Sequence, residues 1–167
     1  VILCRSLDLS VGFTAALASI VGATVMDGDP GRIVLGVAAA LAVSAVIGLV
    51  NGVVIARLDV NPFIATLGMG LIIKGYLDTR YAGPVGAVPP AFQDFGYTRI
   101  WVVPVATVVM LLVALASGLL LGRTRAGHAM YAVGGNTDAA RLSGIRTDRT
   151  IVLSHVLCAV AAGLAGL

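Results

Sequence analysis

Long apolar runs broken by short polar stretches set the pattern of this chain. Twenty-four uncharged residues separate Arg32 from Arg57, and 23 separate Arg99 from Arg123. Each run exceeds the roughly 20 residues that a membrane-crossing helix needs. Residues 9–26 and 150–167 give 18 each, enough for a short span. Residues 60–73 give 14 before Lys74, and apolar character resumes through Leu77. Asn61 can cap a helix there and Pro62 suits its first position. Residues 62–77 would reach about 24 Å. That predicts a short tilted span with Lys74 snorkelling to the interface, or else a broken helix inside the bundle. The pattern as a whole predicts an all-α, polytopic transmembrane helical bundle of about five membrane helices.

Composition agrees with lipid as the solvent. The chain is 59% hydrophobic and 11% charged, with a mean hydropathy of +1.02, whereas a soluble domain is about 25% charged. The net charge of +3 is no nucleic-acid footprint, because the basic residues are scattered and few aromatics accompany them. Cys4 and Cys158 lie far apart in or beside apolar runs and read as small apolar fillers.

Five of the eleven Lys and Arg residues fall in the stretch 123–149: Arg123, Arg125, Arg141, Arg146 and Arg149. The positive-inside rule makes this loop cytoplasmic. Counting back places 78–100 outside, Arg57 and Asp59 inside, 27–32 outside, and Asp8 near the inner side. The outer stretch 82–99 is rich in Gly and Pro and reads as irregular, with Phe92, Phe95 and Tyr97 free to pack at the interface.

Gly36, Ala40, Ser44, Gly48 and Gly52 recur every four residues in the second span. Such a stripe permits close helix packing, or else a smooth wall along a permeation path. Ala114, Gly118 and Gly122 form a weaker row.

No catalytic constellation is visible. The chain has no Glu, and His128 and His155 lack partners at metal-ligand spacing. The GGN at 134–136 lacks the Lys and Ser/Thr of a phosphate loop. Neither catalytic residue, cofactor nor metal is expected, so any uphill transport draws energy from a partner or an ion gradient. Asp8, Ser10, Asn51, Asn61 and Thr66 are the polar candidates for a transport path. Asp8 and Lys74 fall near predicted ends, where snorkelling accounts for them. No acid appears in mid-span, which counts against a gradient-driven carrier. His155 reads as a hydrogen-bonded packing residue rather than a proton relay.

The polar segment within 123–149 carries its own helix signals. Asn136 can cap, Asp138 suits the positive end of the dipole, and Gly144 can stop the helix, which predicts helix over 137–143. So short a helix is unstable alone and must dock. Ala139, Ala140, Leu142 and Ile145 offer a flat apolar surface, with Arg141, Arg146 and Asp138 able to pair at its rim. It either lies on its own bundle or inserts into a groove on a cytoplasmic partner.

The run RTRAGHAMYAVGGNTDAARLSGI (123–145), with DLSVG (8–12), NGVVIARLDVNPFIATLG (51–68) and AAGLAGL (161–167) in order, resembles permeases of bacterial ABC sugar importers of the ribose/xylose type. Branched-chain amino-acid permeases are relatives. The resemblance implies a permease subunit of the bacterial inner membrane that translocates a monosaccharide. It also implies a second permease copy, ABC ATPase subunits on the cytoplasmic side, and a periplasmic or lipid-anchored sugar-binding protein. Gly134, Gly135, Asn136, Asp138, Ala139, Ala140, Arg141, Leu142, Ser143, Gly144 and Ile145 would form the element that couples to the ATPase. Family members are about twice this length, so 1–167 is expected to be one permease domain truncated at both ends. The stretch before DLSVG is Gly-rich in the family but reads ILCRSL here. A gradient-driven secondary transporter and a non-transporting membrane scaffold are the rival readings.

Overall fold

The computed structural model describes every residue except Ala82 and Pro84, which lie at the start of the stretch expected to be irregular. Eight helices are described: α1 (Val11–Met26), α2 (Ile33–Arg57), α3 (Pro62–Arg80), α4 (Pro90–Tyr97), α5 (Val105–Arg123), α6 (Arg125–Gly135), α7 (Thr137–Leu142) and α8 (Thr147–Gly166). Helices α2, α5 and α8 are long and apolar enough to cross a membrane, and α1 is a shorter apolar helix. The all-α membrane bundle is therefore the observed class.

α1, α2 and α8 all pack on one another, and α2 runs antiparallel to the other two. A Cβ on Gly36 would meet Met26 and the Gly22 carbonyl of α1, while one on Gly48 or Gly52 would overlap backbone of His155, Val156 or Val152 in α8. Gly163 of α8 in turn sits on the Ser44 side chain. All five residues of the α2 stripe are buried. The stripe is filled by neighbouring helices, so it serves packing and lines no path. Among the described residues nothing approaches within 4 Å of a Cβ on Gly118 or Gly122, so the weaker row on α5 meets no neighbouring helix there.

α3 begins as the sequence indicates, with the Asn61 side chain accepting from the Phe63 amide at 2.9 Å and Pro62 at its first position. It runs one turn beyond Leu77 because Lys74 and Asp78 pair at i,i+4 on its exposed face. Nineteen residues reach roughly 28 Å, so the helix is not short. Leu17, Ile47 and Ile73 of α1, α2 and α3 form one apolar core, with Phe13 and Met69 against it.

Two expected loops contain regular structure. Within 82–99, Pro90 at the first helical position starts α4, and Arg99–Ile100 then pairs with Val103–Pro104 in a two-residue antiparallel ladder. Pro104 delays the start of α5 to Val105. Within 123–149, Thr124 caps α6 by accepting from the Gly127 amide at 3.1 Å.

Candidate functional site

The chain ahead of α1 enters the bundle instead of ending at its surface. A 3-10 turn at Ile2–Cys4 closes on Arg5, whose φ of 54° is left-handed. That conformation is open to glycine at little cost and strained for other residues. An Arg thus occupies a turn for which a Gly-rich stretch would be the unstrained choice.

From there the chain reaches Asp8, whose side chain is only 2% exposed. One Asp8 oxygen accepts from the Ser10 amide at 2.9 Å and from the Ser10 hydroxyl at 2.6 Å, a local turn made by a short acidic side chain. The other lies 3.4 Å from Nδ1 of His155, which is fully buried. The His155 Nε2 and the Ser6 hydroxyl share a hydrogen bond of 2.8 Å. This set is satisfied when Nδ1 carries the proton and Nε2 accepts from Ser6. Asn51 of α2 donates to the Ser10 hydroxyl at 3.0 Å. Thr66 of α3 accepts from the Leu9 amide at 3.1 Å.

Three long helices thus each send one polar side chain to residues 6–10. His155 lies eight residues into α8, roughly 12 Å from its start. Asn51 lies six residues from the end of α2, roughly 9 Å inside it. The expectation that Asp8 snorkels at a helix end is therefore overturned. α1 begins at Val11, inside the bundle, and Asp8 is held there by partners on other helices. The structure also supplies the buried acid that the sequence pattern concealed.

Of the five polar candidates, Asp8, Ser10, Asn51 and Thr66 come together. Asn61 does not: it is exposed and caps α3. Ser6 and His155 join the cluster: the buried, hydrogen-bonded His155 is as the sequence suggests, while Ser6 is a member the sequence does not single out. Their pairing carries no local signal, because it spans 149 positions of sequence.

The polar segment folds as α6 and α7. Helix α7 has the expected start, with Asn136 accepting from the Ala139 amide at 3.0 Å. It ends at Leu142, where the Gly144 amide bonds the Arg141 carbonyl and the Ile145 amide the Ala140 carbonyl, each at 3.0 Å. Gly144 has φ 81°, the left-handed residue that this stop requires. Ala140 is buried with Cys4, Met130 and Val133, and Ile145 packs on the same cluster. Arg141 pairs with Asp148 of α8 at 3.6 Å rather than with Asp138 at the rim. Leu142 is 90% exposed. The segment therefore docks on its own bundle by one face and presents Leu142, Ala139, Asp138 and Ser143 outward. The two glycines before it differ: a Cβ on Gly134 would overlap the Leu3 carbonyl, while one on Gly135 meets nothing within 4 Å.

Cys4 and Ala140 share a cluster, and Cys4 stands two residues before Ser6. A continuous line of contacts thus joins α7 to the Asp8–His155 pair.

Residues 1–167 match the family model described as branched-chain amino acid transport system / permease component. The chain is 41% identical over 172 residues to the ribose import permease protein of Escherichia coli K12, covering 100% of this chain and 53% of that protein. It is 33% identical to the galactose/methyl galactoside import permease protein of Haemophilus influenzae, over 93% of this chain and 52% of the relative. Identity to the D-allose transport system permease protein of Escherichia coli K12 is also 33%, over 99% of this chain and 51% of the relative. The chain spans about half the length of these relatives. No solved structure matches.

Proposed function

Because this chain belongs to the branched-chain amino acid transport system / permease component family, we propose that it is the permease portion of an ATP-driven importer that carries a monosaccharide across the bacterial inner membrane. Residues 1–167 belong to one transmembrane permease domain, and 123–149 face the cytoplasm. The ATPase docks on α7, a second permease copy completes the path, and a periplasmic or lipid-anchored binding protein delivers the sugar. Hydrolysis is the partner's chemistry.

The observation that carries this reading is the attachment of α7. Its buried face rests on the cluster holding Cys4, and Arg141 ties it to α8. Displacing α7 moves the segment that holds Asp8, and with it the meeting point of α1, α2, α3 and α8. A short helix with two faces, one seated on the spans and one free, suits force transmission.

The Asp8–His155 pair is the one feature that favours a gradient-driven carrier, since buried ionisable groups mark proton relays in such proteins. The two readings separate in vesicles that contain the full-length protein. With ATPase and binding protein supplied, uptake of ribose, galactose or allose is expected to require ATP inside or outside according to ATPase orientation, and to persist when the proton gradient is collapsed. Uptake without ATPase that follows the proton gradient would establish the carrier. Absence of flux under both conditions would establish a scaffold.

A further inference from the structure

Three arginines at the basic end of the bundle, Arg57, Arg146 and Arg149, have no acidic partner within 4 Å among the described residues. They line one cavity of about 740 Å³ between α2 and α8. Behind them the walls are apolar, formed by Leu49 and Val53 of α2 and Val156 of α8. Leu49 lies eight positions before Arg57, so the apolar groove runs roughly 12 Å along the span from its charged mouth. The acid in the lining, Asp148, is paired with Arg141. A second cavity, between α6 and α8, shares Arg146 and Arg149 and adds Arg125.

We propose that the groove between α2 and α8 is a binding site for an anionic phospholipid of the inner leaflet, its phosphodiester on Arg57, Arg146 and Arg149 and its upper acyl chain along Leu49, Val53 and Val156. The shape decides between sources of negative charge. A free phosphate would use the arginines and leave the apolar wall uncovered. A soluble protein could reach the mouth but not the apolar groove within the spans. An amphipathic anion matches both parts, and lipid is the solvent at that depth. Arg146 immediately precedes α8 and Ile145 packs beneath α7, so a bound headgroup sits beside the α7–α8 junction and steadies it.

Native mass spectrometry of the full-length protein, released from micelles of equimolar phosphatidylglycerol and phosphatidylcholine, tests this. Wild-type protein is expected to retain phosphatidylglycerol with at least about tenfold preference, given roughly fivefold per arginine near a lipid surface. R57Q/R146Q/R149Q is expected to bring the two lipids to parity. R57K/R146K/R149K keeps the charge and most of the preference, and R32Q at the opposite end changes nothing. Parity in the wild type and the Lys variant overturns the site even if the Gln variant fails to insert. So does a preference that survives the Gln substitutions, or displacement of the lipid by inorganic phosphate. If the Gln variant instead loses a co-purifying ATPase while phosphatidylglycerol retention is unchanged, the arginines dock protein and the lipid assignment is wrong.

Discussion

Gly48→Ile is expected to abolish assembly of the α2–α8 pair. A Cβ at Gly48 would lie 2.6 Å from the His155 carbonyl oxygen and 2.7 Å from the Val156 Cα. Those are backbone atoms of a helix that cannot yield by changing rotamer. Overpacking a core costs about 1–3 kcal/mol when side chains can shift, and more than about 3 kcal/mol is expected when a helix must move. Bundles in lipid depend on such packing because apolar burial gives no advantage there. The full-length variant should fail to give a monodisperse peak in detergent, whereas Gly118→Ile on α5, where nothing among the described residues lies within 4 Å, should leave the α2–α8 contact intact. An unaltered melting curve for Gly48→Ile would mean that α2 and α8 do not meet as described.

The second large effect is expected at Asp8. Asp8→Leu removes the acceptor shared by the Ser10 amide, the Ser10 hydroxyl and His155, and all three stay buried. Each buried donor left without an acceptor costs about 1–3 kcal/mol, so the three together exceed the roughly 1 kcal/mol of a lost helix cap. Asn61→Ala, which removes such a cap, is therefore the internal standard. Thermal unfolding in detergent should rank Asp8→Leu well below Asn61→Ala, with Asp8→Asn between them because its amide oxygen can still accept from Ser10. Equal effects at positions 8 and 61 would contradict the cluster.

The contrast between those two positions shows what the sequence makes legible. Asn61 acts on a residue two positions away, so its cap could be read from the Asn-Pro pair. The partners of Asp8 include His155, at the far end of the chain, and no local rule connects them. Apolar length revealed α2, α5 and α8, since a span is defined by its own residues. The run 9–26 makes α1 (Val11–Met26) legible as well, but the depth of Asp8 is not, because His155 of another helix holds it inside. Helix α6 was missed beneath its Gly and Ala content, yet it left a signal: Thr124 as a cap, then Gly127, Met130 and Val133 three apart on the buried face. For α7 the cap and stop are legible and the helix lies where they place it, but the buried face is not, because Leu142 is the more apolar side chain yet is 90% exposed, while packing with Cys4 buries Ala140.

The account turns on α7 passing force from an ATPase to residues 6–10. Leu142 is the residue to change, because it is 90% exposed and unlike Arg141 makes no tie to α8. Co-purification of the ATPase with full-length Leu142→Glu protein, measured beside its melting temperature, is the direct measurement. The account predicts an unchanged melting temperature and at least about a tenfold loss of bound ATPase, as for an apolar contact at the centre of an interface. Full retention of the ATPase would place the dock elsewhere and remove α7 from the coupling path.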